Sequence, residues 1–323
     1  MLFSRRATLL VAGSLASPAL INPALAQGGG FVTVGGGPPG GTAFPVGAAV
    51  AQAIGQAMPG VRAQMQQTGG SFENIQLVGR GRAEFGLSVA DSLTIGFTGR
   101  DPQRFPRALT GLRVVASLLP FHVHILMRAD AGVRRIEDLR GKRITVGAAG
   151  GGTEGNARAI FAAAGLSFAD LGRVEFLSGN ETVDAIRDRR IDGMFLTTGI
   201  GASALRDLAG SVPVVAVPVP HALIARMNDP AYAPAEITAG TYPVQGLPVE
   251  TAVIWFQLFC DERLPAATVT AALEGIFGNL AQFRAAHPGL RDFDLPTTNQ
   301  GWSIPGHPAA IAFLRARGVA VGA

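Results

Sequence analysis

Residues 143–156 read RITVGAAGGGTEGN. Arg143 to Val146 has the apolar and β-branched character of a strand. The run over 147–153 is nearly all glycine and alanine and ends in Thr153, and a helix is expected over 154–164. The same three-part pattern occurs twice before it. A strand over 31–34 runs into GGGPPGGT at 35–42 and then an Ala-rich helix to about Met58. A strand over 61–65 runs into TGGS at 68–71 and a helix through Leu77. Further strands are expected at 85–89, at 112–119 and 121–128 on either side of Pro120, and at 174–177, 191–196, 212–217 and 251–259. Asn180 is expected to cap a helix over 180–190. Strands alternating with helices of this length imply crossover units and parallel sheets. Two such series, one before and one after Val133, imply an α/β chain of two lobes.

Length and composition agree with that division. The chain has 323 residues, which suits one large or two medium domains, and 48% are hydrophobic, enough for a packed core. The single cysteine, Cys260, excludes a disulfide framework and any multi-cysteine metal site. Residues 1–26 read as an export signal: Arg5 and Arg6, an apolar stretch, and Ala24-Leu25-Ala26 as a small-x-small cleavage site. Ser4-Arg5-Arg6 is compatible with a twin-arginine or a Sec signal, and the mature chain is expected to be soluble and periplasmic. Without the signal, 25 basic residues face 23 acidic ones. So small an excess, with 7% aromatic residues and no basic run longer than two, excludes a nucleic-acid partner.

The three glycine turns share one chemistry. Glycine lets the backbone come close to a ligand, and a helix start offers free N–H groups and partial positive charge. Such a turn suits phosphate or carboxylate, although each taken singly also reads as a plain connection with a Ser or Thr cap. Gly35, Gly37 and Gly40 match the spacing of a dinucleotide fingerprint, but no Asp or Glu precedes Glu73 to hold a ribose. Pro38 and Pro39 also remove two backbone donors. Catalytic and metal constellations are poor. His122 and His124 alternate on one strand without a nearby acid, and read as a hydrogen-bonded structural pair. Ser71 and Ser88 sit in no nucleophile elbow. No enzyme activity, metal or cofactor is expected.

Five segments, in order, resemble the TAXI family, the solute receptors of one branch of TRAP transporters. They are 34–47 (VGGGPPGGTAFPVG), 67–74 (QTGGSFEN), 139–156 (LRGKRITVGAAGGGTEGN), 239–243 (AGTYP) and 304–309 (IPGHPA). The resemblance implies a two-lobed, type II periplasmic-binding-protein-like fold with a hinge at 121–128 and 246–255. Lobe 1 would comprise 28–122 plus 249–323, and lobe 2 123–248. It implies a monomer that closes on a glutamate-like or other dicarboxylate ligand and delivers it to a TRAP membrane permease. The alternatives are an ABC-importer receptor and, more distantly, a periplasmic hydrolase. On this reading the backbone N–H groups of Gly40, Gly41, Gly70, Gly151 and Gly152 contact the ligand carboxylates. Thr42, Ser71, Thr153 and Thr198 add hydroxyls, and Asn74 an amide. Phe44 packs on the carbon chain and Tyr242 borders the cleft. Asp91 holds a ligand amine or caps the following helix. Arg128 pairs with a carboxylate or is a solvated charge.

Overall fold

The computed structural model describes residues 30–242 and 246–321. The export-signal reading of residues 1–26 lies outside the described residues.

The first series is β1 (Phe31–Gly35), α1 (Ala43–Ala57), β2 (Arg62–Gln66), α2 (Ser71–Gly79), β3 (Phe85–Val89) and α3 (Ala90–Thr98), and it leads into the long β4 (Leu112–Arg128). The second is β5 (Arg143–Thr145), α4 (Gly152–Ala163), β6 (Arg173–Glu175), α5 (Gly179–Arg187) and β7 (Gly193–Thr198). It continues through α6 (Ser203–Ser211), β8 (Val214–Ala216), α7 (His221–Met227) and β9 (Ala233–Ile237). The chain returns along β10 (Val249–Asp261) and finishes with α8 (Ala266–Gly278), α9 (Leu280–Ala285) and α10 (Pro308–Arg315).

Strand order is β2-β1-β3-β10-β4-β7-β5-β6, with β9 on β10 and β8 on β4. On one side β2, β1 and β3 are parallel, and on the other β6, β5 and β7 are parallel. Each half therefore repeats the order second–first–third, as expected of two lobes built alike. β4 and β10 lie antiparallel between them and pair with strands of both halves. Those two strands are the only sheet path from one half to the other among the described residues.

The buried sides follow from the sequence. β3 (FGLSV) is buried at every position, as a central strand covered on both faces must be, whereas the edge strand β2 alternates between exposed and half-buried. α1 turns Val46, Val50 and Ile54 inward at helical spacing. Gly275 of α8 lets that helix come close to the Ala53 carbonyl of α1.

Two local expectations are corrected. Pro120 does not split a strand: β4 runs unbroken through it, with Pro120 opposite Trp255 of β10. Pairing of β4 with β7 begins only at His122, so the proline's missing donor falls where one edge of the strand is unpaired. Asn180 is not the cap of α5. Ser178 is, through a reciprocal capping box with Glu181, because Ser-x-x-Glu satisfies two free donors and Asn180 offers no such partner.

Candidate functional site

The first and third glycine turns, the second turn, and the loop before α5 meet between the lobes. Together with the middle of β4 and β10 they line a cleft with about 60 Å³ of space open to a water-sized molecule. Four helix starts border it: Ala43 of α1 and Ser71 of α2 from the first lobe, Gly152 of α4 and Gly179 of α5 from the second. Its apolar side includes Leu87, Val89, Leu177, Leu196 and the rings of Phe121 and Phe256, which stack with centroids 4.0 Å apart.

The turns also touch one another. The N–H groups of Phe72 and Glu73, in the first turn of α2, donate to the Gly150 carbonyl at 3.0 and 3.2 Å. Ala204 N–H donates to the Gly40 carbonyl at 3.2 Å. Gly40 and Gly70 have φ of 88° and 120°, a region that favours glycine. A β-carbon on Gly40 would lie 2.7 Å from the Asn180 backbone nitrogen, and one on Gly70 3.3 Å from Gly151 Cα. The lobes are thus closed on each other, and several turn glycines serve that contact as well as facing the cleft.

Thr42 is fully buried at the start of α1. Its hydroxyl lies 3.0 Å from Thr198 Oγ1 and accepts from Gly199 N–H at 3.1 Å, while its own N–H donates to Thr198 Oγ1 at 3.2 Å. His287 Nε2 is 3.1 Å away, and His287 Nδ1 accepts from Gly289 N–H. Burial lowers the His287 pKa to about 4, so the ring is neutral and its proton sits on Nε2, donating to Thr42. Thr42 therefore joins the two lobes at the cleft wall.

A second junction is centred on Asp91 of α3. Asp91 Oδ2 accepts from Tyr232 OH and from Asn156 Nδ2 of α4, each at 2.7 Å. Asn156 Nδ2 is also 2.8 Å from Tyr232 OH. Asp91 Oδ1 and Asn156 Oδ1 are buried without a partner among the described residues. Burial raises the Asp91 pKa to about 6, and Asp229 adds repulsion. A third junction is the pair Arg104–Glu154, Nη2 to Oε1 at 2.6 Å.

Of the residues expected at a ligand, Gly41, Thr42, Gly70, Ser71, Gly151, Gly152, Thr153 and Thr198 all line the cleft. Gly40 sits beside it, packed on Gly179 and Asn180. Phe44 is half-buried in α1 and is not among the lining residues. Asn74 is fully buried and ties the first lobe together: Nδ2 donates to the carbonyls of Gly36 and Leu87, and Oδ1 accepts from Thr68. Asp91 is occupied at the lobe junction. Arg128 ends β4 in an ion pair with Asp130, Nε to Oδ1 at 2.9 Å. Tyr242 OH bonds His124 Nε2 at 3.0 Å, so the partner of His124 is this tyrosine, while the rings of His122 and His124 stand 6.5 Å apart.

Phe121, Phe256, Ser178, Gly179 and Thr197 line the cleft without having been singled out as ligand residues. Thr197 is 5% exposed and its hydroxyl has no partner among the described residues, although its backbone N–H donates to Thr153 Oγ1 at 3.2 Å. The signal for Thr197 was present: it is the penultimate residue of β7, beside Thr198, which ends the strand before the next turn. Among the described residues, no Asp, Glu, Lys, Arg or His lines the cleft.

A profile described as the NMT1-like family matches residues 34–318. The fold is similar to a solved structure of MatC from Rhodopseudomonas palustris with bound malate, at 13% identity and a TM-score of 0.54, covering 80% of this chain and 88% of that one. It is similar to a structure described as a periplasmic transporter, at 13% identity and a TM-score of 0.52, covering 90% and 93%. It is also similar to the binding-protein component of an ABC phosphonate transporter from Pseudomonas aeruginosa, at 10% identity and a TM-score of 0.51, covering 80% and 78%. At these identities the likeness is one of fold, and the fold shared is that of two-lobed periplasmic binding proteins.

Proposed function

From the premise that the chain belongs to the NMT1-like family, we propose that it is a periplasmic solute receptor, not an enzyme, and that its lobes close on a small carboxylate. The observation that carries this reading is the convergence of four helix starts, two from each lobe, on one cleft with no charged side chain among the described residues. Helix starts present N–H groups and partial positive charge to an anion without needing Arg or Lys. Because both lobes contribute, the ligand contacts the closed form more fully than the open one, which is what ligand-driven closure requires.

The lobe division at 28–122 plus 249–323 and 123–248 fits the strand order, since β4 spans the first boundary and β10 begins at the second. The ligand contacts we assign are the backbone N–H groups of Gly41 and Gly152 and the hydroxyl of Thr197. The N–H groups of Gly70 and Gly151 go to Thr68 Oγ1 and the Ala148 carbonyl, and Thr153 Oγ1 is bonded to the Thr197 backbone, so these residues, with Gly40 and Ser71, shape the turns. The five TAXI-like segments support delivery to a TRAP permease. The structural likeness to an ABC phosphonate component favours, as the second reading, an ABC importer. A hydrolase reading gains no support: Ser71 Oγ accepts from Val89 N–H, and no histidine lines the cleft among the described residues.

Thermal unfolding with a panel of small carboxylates tests the reading. A ligand at about 100 times its Kd adds about 2.7 kcal/mol of stability. The expected result is a raised Tm with some carboxylates and none with neutral sugars; stabilisation by sugars alone would reject the carboxylate class. Uptake in cells lacking either the TRAP or the ABC permease separates the two transport readings.

A further inference from the structure

We propose that the cleft selects a small anion bearing a single negative charge and an apolar body, with the Thr197 hydroxyl as one of its direct contacts. This deepens the carboxylate reading and rests on it. It narrows the ligand away from amino acids and dicarboxylates.

Three observations carry it. The first is the charge around the cleft. A buried charge needs an opposite charge or a full set of donors. No cationic side chain lines the cleft among the described residues, so the positive potential at its wall comes chiefly from helix starts, each roughly half an elementary charge. Two of the four are already answered. Glu73, in the first turn of α2, accepts from Gly69 N–H at 2.6 Å, and the N–H groups of Phe72 and Glu73 go to Gly150. Glu181, in the first turn of α5, closes the capping box with Ser178. α1 has no acid in its first turn, and the acid of α4, Glu154, is held by Arg104 and Arg158. Two helix starts of about half a charge each balance one anion, and a second carboxylate would be buried without a partner.

The second is the absence of a carboxylate among the described lining residues, so a ligand ammonium would have no counter-charge there. Asp91, the nearest acid by sequence to the lining residue Val89, spends Oδ2 on Tyr232 and Asn156. The third is the character of what remains. The stacked Phe121 and Phe256 and the side chains of Leu87, Leu177 and Leu196 give the rest of the cleft an apolar wall suited to a branched or aromatic carbon skeleton. Thr197 supplies the single side-chain hydroxyl in the cleft that is both buried and unpartnered among the described residues.

Isothermal titration of the purified protein with isovalerate, benzoate, succinate, L-glutamate and isovaleramide decides the matter. The expected order is isovalerate or benzoate tightest, with succinate, glutamate and the neutral amide each weaker by about tenfold or more, the cost of one unpaired buried group. In the isosteric Thr197→Val variant the favoured monocarboxylate should weaken by about tenfold while the Tm without ligand stays within about 2 °C. Glutamate or succinate binding as tightly as the monocarboxylates overturns the single-charge inference and leaves the carboxylate reading standing. Isovaleramide binding while no carboxylate does overturns both, and so does a panel in which nothing binds. Unchanged affinity in the Thr197→Val variant removes Thr197 from the contact set.

Discussion

Replacing Asp91 by Asn removes a buried charge while keeping the shape of the side chain. Asp91 is 3% exposed and joins the lobes through Tyr232 and Asn156. Burial lifts its pKa from 3.8 to about 6. Tyr232 is pushed well above its ordinary range and remains a proton donor throughout. The other groups acting on the carboxylate are Asp229, which repels it, and the Ser92 backbone, which stabilises its charged form. A carboxyl whose pKa is raised on folding binds its proton more tightly in the folded state. Its stabilising contribution is fully present below pH 3.8 and is lost as pH rises through about 6. Between pH 4.5 and the top of that window the loss is about 2 kcal/mol, at 1.36 kcal/mol per unit. That corresponds to about 4 °C in Tm for a chain of this size. The assay is the Tm of wild type and Asp91→Asn measured side by side from pH 4.5 to 7.5, so that all other titrations cancel in the difference. The variant should gain about 4 °C on wild type across the range and be no less stable than wild type at pH 7.5. A pH-independent difference, or a variant several degrees less stable at pH 7.5, would refute the reasoning, because the carboxylate would then be a net stabilising partner of Tyr232 and Asn156.

Three other substitutions follow from the same geometry. His122, His124 and His287 have pKa values lowered by burial to about 4, 3 and 4, so the unfolded chain takes up protons first and stability falls as pH drops below about 6.5. His124→Gln should reduce that fall, measured as the urea-unfolding free energy at pH 6.5 and 4.5, by about 2–3 kcal/mol; an unchanged fall contradicts a neutral buried ring. In Gly152→Ala the new methyl would lie 2.6 Å from Ser71 Oγ and 2.7 Å from Val89 Cγ2. It should weaken ligand binding by about tenfold or more while shifting the ligand-free Tm by only about 2 °C, and equal affinity would mean the lobes need not approach this closely. Asn74→Ala deletes hydrogen bonds of 2.7, 2.8 and 2.8 Å to Gly36, Leu87 and Thr68. It should cost about 3 kcal/mol in chemical denaturation, and a loss of affinity without loss of stability would return Asn74 to the ligand.

Much of the cleft was legible because its chemistry is local. Thr42, Gly70, Ser71, Gly151, Gly152 and Thr153 each belong to a strand–glycine–helix unit that a short window contains whole. The alternation of strands and helices carries two α/β halves in the same way. What a window does not contain is the pairing order. Phe121 and Phe256, 135 positions apart in sequence, meet only because β4 and β10 lie side by side with Phe121 opposite Ile254. Asn74 carried the right motif and a different duty: a buried amide with three partners in its own lobe has nothing left to offer outward. Arg128 sits at the far end of a strand that reaches the cleft only at its middle, so a charge that looked free by sequence is taken by Asp130, two residues on. The glycines themselves had a second role that composition could not reveal. A methyl on Gly69 would overlap the Ala149 carbonyl of the opposite lobe, so its smallness serves closure.

The central claim is that the cleft holds a small carboxylate between the lobes. Native mass spectrometry of the purified protein, followed by identification of whatever small molecule denaturation releases, tests it most directly. A single bound monocarboxylate per chain, lost together with its mass increment in the Gly152→Ala variant, is the predicted result. A neutral sugar, a metal ion or a cationic amine recovered in stoichiometric amount from the wild type would contradict it.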